Sequence, residues 1–326
     1  MFRRTLLATL ALPSLALPSL ARAQPAPAWP SRPIRVVVPF AAGGIIDVVA
    51  RIITEAMART LPGNFVVENM PGGGTSIGGR AVARAVPDGH TLLLTGASQA
   101  VVPAMVPDAG YDVLTDFAAI APLGDQPFVL AVHPGMPVNS VAELIAWLKA
   151  HPTEANFATT GLGAASHLAG ELFMSLSGTR FTVVPYRGTP QAVTDLVAGR
   201  AQLMIDSQTL LAPMAAEGRV RLLAVTTPRR SKLLPALPTL VESGLAGYAA
   251  SSWQGLYAPR GTPEPIIARL AAAAIAAKAD ATVQRRYTEA GVEDFPGGPT
   301  ELARFLRAEN ARWVPLLHAA GVKPGG

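Results

Sequence analysis

Three times in this chain a short apolar run is followed by a glycine-containing turn and then by a helical pattern. The runs are residues 34–39, 64–68 and 156–160, and the turns hold Gly43-Gly44, Gly72-Gly73-Gly74 and Gly161-Leu162-Gly163. After the first turn, Val49, Ile52, Ile53, Ala56 and Met57 recur at the spacing of one helix face. The β-branched run from Ile34 to Pro39, broken only by Arg35, reads as a buried strand. Its helix must then carry the chain back over the sheet to a parallel neighbour, by a right-handed crossover. The repeated layout predicts an α/β fold.

The rest of the chain extends this rhythm. Strands are expected at 91–95, 128–133, 181–186, 201–206 and 220–226, with helices at 47–61, 77–85, 140–150, 166–176, 190–198 and 210–216. Asp47 is expected to cap the first of these helices. The last third is helical at 263–279 and 300–320, long enough to wrap back over a lobe. Segments 123–127 and 245–252 are the candidate crossings between two α/β units. With 326 residues, half of them hydrophobic, the chain can bury two modest cores. Expected boundaries are 24–124 plus 249–326 for a discontinuous first lobe and 125–248 for the second.

The N-terminus addresses the compartment. Arg3 and Arg4 precede an apolar run at 6–20 that Pro13 and Pro18 interrupt, and Ala21-Arg22-Ala23 fits a small-x-small cleavage site. The run is too short and too broken for a membrane span. Both a general secretory and a twin-arginine route fit these residues. Removing Arg3, Arg4 and Arg22 lowers the formal charge from +5 to +2. So small a charge, with 6% aromatic residues not interleaved with basic ones, excludes a nucleic-acid surface. The chain has no cysteine, which removes disulfides, thiolate metal sites and cysteine nucleophiles.

The turns carry what chemistry there is. Phe40-Ala41-Ala42-Gly43-Gly44-Ile45-Ile46-Asp47 joins the first strand to its helix. Small residues there free backbone amides at a helix N-terminus, which makes an anion site. The same residues also fit a plain tight turn. Neither a dinucleotide fingerprint nor a phosphate loop is present. His167 and Glu171 stand four apart like two metal ligands, but a third ligand is missing. Ser166 beside His167 leaves a hydrolase open, without the nucleophile-elbow motif. Arg187 ends a strand and fits either a bidentate carboxylate contact or a surface position.

Taken in order, the motifs PFAAGGIIDVVAR, VENMPGGGTSIG, VPDGHTLL, YDVLTDFAAIAPL, GLGAASHLAGELF, VPYRGTPQAVTDLVAGRAQLMID, LAVTTPRRSKLLPALPTLVESG and WQGLYAPRGTP resemble one family. It is the tripartite tricarboxylate transporter substrate-binding proteins, also called the Bug family of periplasmic receptors. The resemblance implies a type II periplasmic-binding-protein fold, two α/β lobes joined by crossing strands with the ligand cleft between them. It implies a clamp for a small organic carboxylate that performs no chemistry, needs no cofactor and acts as a monomer. A membrane permease or a sensor protein would read the closed form. Matched position by position, Phe40, Gly43, Gly44 and Asp47 fall in the first binding loop and Thr95 and Ser98 in the loop after the third strand. Thr160, Ser166 and His167 fall in the second-lobe loop, and Arg187 and Asp206 at later strand ends.

One departure stands out. The family usually places a small or hydroxyl residue before the Asp, and here Ile45 and Ile46 precede Asp47. Either both isoleucines make the pocket wall apolar, or both turn into the core of the first lobe. The leader makes its own prediction. Protein recovered from the periplasm should start at Gln24 by intact mass, and retention of Met1 on exported protein would contradict the leader assignment.

Overall fold

The computed structural model describes residues 29–322, apart from Arg187. The expected leader and its cleavage site lie outside the described residues. The first lobe begins with β1 (Ile34–Val38), α1 (Ile45–Met57), β2 (Phe65–Asn69), α2 (Ser76–Ala83), β3 (Thr91–Gly96) and α3 (Ala97–Met105). The long strand β4 (Phe117–Val132) leads out of it. Next come α4 (Val141–Ala150), β5 (Asn156–Thr159), α5 (Ala165–Ser177), β6 (Thr182–Pro185), α6 (Thr189–Val197), β7 (Leu203–Ser207), α7 (Gln208–Ala216) and β8 (Arg221–Val225). Strand β9 (Ser251–Pro259) returns, followed by α8 (Glu264–Ala279), α9 (Ala281–Ala290) and α10 (Pro299–Ala319).

As expected, β1 pairs in parallel with both β2 and β3. Its residues alternate between two cores. Ile34, Val36 and Val38 pack with α1 and α8, while Val37 and Leu93 join the core that holds residues of α3 and α10. That alternation explains why the run is apolar but for Arg35, which stays partly exposed and pairs with Glu68 of β2. In the second lobe β5 pairs in parallel with β6 and β7. Phe157, Leu203 and Ile205 face one core, and Ala158 and Met204 face the other.

The crossings are longer than the sequence predicts. Strand β4 runs for 16 residues, about 50 Å of extended chain. Its first part pairs antiparallel with β9, from Phe117 opposite Pro259 to Pro127 opposite Ser251. Its last part, from Phe128, lies between β7 and β8. The expected strand starts at residue 128 because Pro122, Gly124 and Pro127 look like a loop. Instead, register shifts beside Ala119 and between Pro122 and Gly124 absorb the irregular residues, and Pro127 stands where the pairing changes hands. A side chain at Gly96, the last residue of β3, would come within 2.5 Å of the Trp253 carbonyl, so the β3–β9 approach requires glycine.

Two sequence readings need correction. Asp47 is not the cap of α1; Gly44 is, and Asp47 sits in the first turn. Neither Thr95 nor Ser98 is in a loop after β3, because Thr95 lies within the strand and α3 begins at Ala97. The predicted cap of the 140–150 helix is present, with the Glu143 N–H donating to Ser140 Oγ.

Helix α10 ties the crossing to the core. Buried Glu309 accepts from the indole N–H of Trp253 at 3.1 Å and of Trp313 at 2.8 Å, and pairs with Arg312 at 2.8 Å. Trp253 lies opposite Asp125 in the β4–β9 pair, so this acid anchors a crossing strand. Glu309→Ala would leave two buried indole donors and part of a guanidinium unpaired. We expect a loss of about 3 kcal/mol in denaturant unfolding. A loss under about 1 kcal/mol would show that Glu309 is no anchor.

Candidate functional site

Four helix N-termini meet between the lobes. Gly44, Ile45 and Ile46 of α1, Ala97 and Ser98 of α3, Ala164, Ala165 and Ser166 of α5 and Thr189 of α6 all line one chamber of about 240 Å³. None of these helices has a side-chain cap. The first amides of α1, α3 and α5 are therefore open to an acceptor, α6 lacks one donor at Pro190, and the helix dipoles favour a negative charge. Phe40, Gln126, Phe128, Thr160, Asp206 and Ser252 complete the wall. An outer chamber of about 790 Å³ adjoins it and shares Phe40, Ser98, Thr160 and Ala164.

Hydroxyls brace the second-lobe loop. Ser166 Oγ lies 2.8 Å from Thr159 Oγ1 and 2.9 Å from Thr160 Oγ1, and accepts from the Thr160 N–H at 3.2 Å. His167, only 1% exposed, turns away from Ser166. Its Nδ1 accepts the Gly163 N–H at 3.1 Å, and Nε2 faces the Glu171 carboxylate at 3.3 Å. The ring thus orders the glycine turn and is not hydrogen-bonded to Ser166 as a hydrolase base would be. Glu171 partners His167 through this contact. Among the described residues, no three His, Asp or Glu side chains converge as metal ligands. Across the cleft, the Ser98 hydroxyl donates to the Gly163 carbonyl at 3.2 Å and joins α3 to the second lobe.

Two acids shape the first loop and the chamber floor. Asp47 Oδ2 accepts from the Gly43 N–H at 2.9 Å and from Arg51 Nε at 3.0 Å. Its Oδ1 accepts from Arg51 Nη2 and Asn69 Nδ2, both at 2.9 Å. Burial opposes ionisation of Asp47, but Arg51, Gly43 and Asn69 outweigh it and hold the carboxyl below its ordinary value. Asp206 has the opposite balance. Burial pushes it up to about 6, and the Ser207 N–H, 2.6 Å away, offsets only part of that.

Of the predicted site residues, the fold brings Phe40, Gly44, Ser98, Thr160, Ser166 and Asp206 to the chamber wall. Gly43, Asp47, Thr95 and His167 do not line it. Gly43 and Asp47 fix the loop behind the wall, and Thr95 is fully buried in β3. Arg187 lies outside the described residues. Ile45 and Ile46 both line the chamber, and Ile46 is also part of the first-lobe core, so each of the two readings of the pair holds in part. The sequence reading missed Gln126, Phe128, Thr189 and Ser252 as wall residues. A signal existed for three of them: Gln126 and Ser252 pair within the predicted crossings, and Phe128 shares a face with Gln126 by strand alternation.

Residues 49–322 match the family described as tripartite tricarboxylate transporter family receptor. The chain belongs to that family. The receptor is similar to the periplasmic binding protein BugD, at 36% identity and TM-score 0.78, covering 91% of this chain and 100% of that one. It is also similar to Rpa4515 of R. palustris, solved with adipate, at 35% identity and TM-score 0.80, over 91% of this chain and 99% of that one. MatC of Rhodopseudomonas palustris, solved with bound malate, matches at 35% identity and TM-score 0.78, over 89% and 100%. The fold is thus that of the periplasmic binding proteins, with two α/β lobes.

Asp206 gives the receptor a measurable pH dependence. With a folded value of about 6 against an ordinary 3.8, the folded protein keeps a proton that the unfolded chain has released. The penalty from this acid is therefore absent below pH about 3.8 and complete above pH about 6. Asp206→Asn should stabilise the unliganded receptor at pH 7.5, by on the order of 2 kcal/mol, with little gain left near pH 4. An equal effect at both pH values in thermal melts would contradict it.

Proposed function

We propose that the receptor captures a small organic acid in the inner chamber, seats one carboxylate on the converging helix N-termini and closes its lobes over it. The observation that carries this reading is the meeting of four uncapped helix starts on one chamber. Relatives solved with adipate and malate support the choice of a carboxylate among anions. Phe40, Gly44, Ser98, Thr160 and Ser166 contact the ligand, while Gly43, Asp47, Thr95 and His167 shape the loops that present it. The site does no covalent chemistry.

Lobe closure follows from where the ligand contacts fall. Closure is favoured only if the ligand interacts with both lobes in the closed state, and this chamber has walls from both. Dividing the chain into 24–124 plus 249–326 and 125–248 places the hinge in β4 and just before β9. The receptor works in the periplasm, after cleavage behind Ala23, and hands its cargo to a membrane permease or reports it to a sensor.

Gly44→Val tests the carboxylate seat. Gly44 has an ordinary φ of −73°, and an added Cβ would meet nothing closer than the Ala41 carbonyl at 3.6 Å, so the variant should fold. Its methyls would occupy the space over the α1 amides. Calorimetry with the tightest-binding acid of a panel should show affinity at least about tenfold weaker. Normal binding would place the carboxylate elsewhere. In small-angle scattering the saturated receptor should be more compact than the free one, and an unchanged profile would refute the clamp.

A further inference from the structure

The outer chamber differs from the inner one in chemistry. Val101, Met105, Val106, Leu162 and Phe40 supply much of its wall. Among the described lining residues of both chambers, the only charged side chains are acids, Asp206 inside and Asp108 outside. A second carboxylate entering this space would lose water and meet apolar surface and like charge. An apolar body would gain from burial there.

Thr75, on the same wall, points the same way. It is a β-branched residue at φ 77°, and it is the only non-glycine residue with positive φ among those described. Such a conformation is strained and is kept where the surroundings or function demand it. Thr75 is 8% exposed, and its Oγ1 has no hydrogen-bond partner. A polar ligand atom that reached this hydroxyl would give it the missing partner.

We infer that the ligand is a monocarboxylate with a bulky apolar body of aromatic size, bound across both chambers, with Thr75 addressing a polar atom on that body. This rests on the carboxylate seat proposed above and deepens it. It sets this receptor apart from its relatives solved with adipate and malate. Ile45 and Ile46 fit the same ligand, since they make the chamber behind the carboxylate apolar too.

Calorimetry at pH 7.5 with acetate, phenylacetate, 4-hydroxyphenylacetate, malate and adipate tests it. Phenylacetate should bind at least about tenfold tighter than acetate, and tighter than malate or adipate. Leu162→Asn, on a half-buried loop position, should weaken phenylacetate at least about tenfold and, adding no charge beside the carboxylate seat, leave acetate within about twofold. Thr75→Gly relieves the backbone strain, so its melting temperature should not fall. It should selectively weaken 4-hydroxyphenylacetate. Preference for malate or adipate, or equal binding of acetate and phenylacetate, overturns the inference and leaves the carboxylate seat standing. Binding of none of the five overturns both. A Thr75→Gly variant that binds every acid as the wild type does removes the assigned role of Thr75.

Discussion

Strands β4 and β9 run antiparallel through the cleft, and the position of every other binding element follows from their register. Gln126 lies opposite Ser252, and both face the inner chamber. Gly96 ends β3 against Trp253, which sets the start of α3 and hence Ser98. Phe128 begins the part of β4 that pairs with β7, and this pairing places Asp206 opposite Val129. A shift of one residue in the β4–β9 pair would put Gln126 and Ser252 on opposite faces of the sheet. The Glu309 carboxylate opposes such a shift by fixing Trp253 to α10.

The chamber combines an attraction and a repulsion for negative charge. Each helix start favours an anion by about 0.3–1 kcal/mol when exposed and up to about 2 kcal/mol when partly buried. A single terminus cannot offset the desolvation of a carboxylate, which explains why several converge. Asp206 opposes them at close quarters, but with its carboxyl pushed up to about 6 it accepts a proton more readily than an ordinary aspartate. Below that pH the acid is neutral and the helix starts act on an anion unopposed; above it the charged carboxylate repels one.

Much of the fold was legible because its rules are local. The parallel units announced themselves through β-branched runs, glycine turns and helix spacing, and Ser140 capped its helix where expected. Strand β9 escaped notice, since Ser251, Ser252, Gln254 and Gly255 break any apolar run even though the strand is buried on both faces. Helix α3 was hidden behind β3 without an acidic or proline start signal, and with Pro103 inside it. In both cases burial in the assembled fold overrode weak local preference.

By itself, the sequence determined the α/β class, the two-unit rhythm, the family and the turns from which a site could be built. The tertiary structure decided which residues of those turns face the inner chamber. Asp47 looked like a site residue, but Asn69 from the neighbouring strand joins Arg51 in drawing its carboxylate behind the wall. Gln126 and Ser252 fell in the predicted crossings, and long-range strand pairing set them in the chamber. Propensity and spacing act over a few residues and fix where a turn falls. Which way its side chains point depends on strand register and on hydrogen bonds between residues far apart in the chain, and only the assembled sheet supplies these.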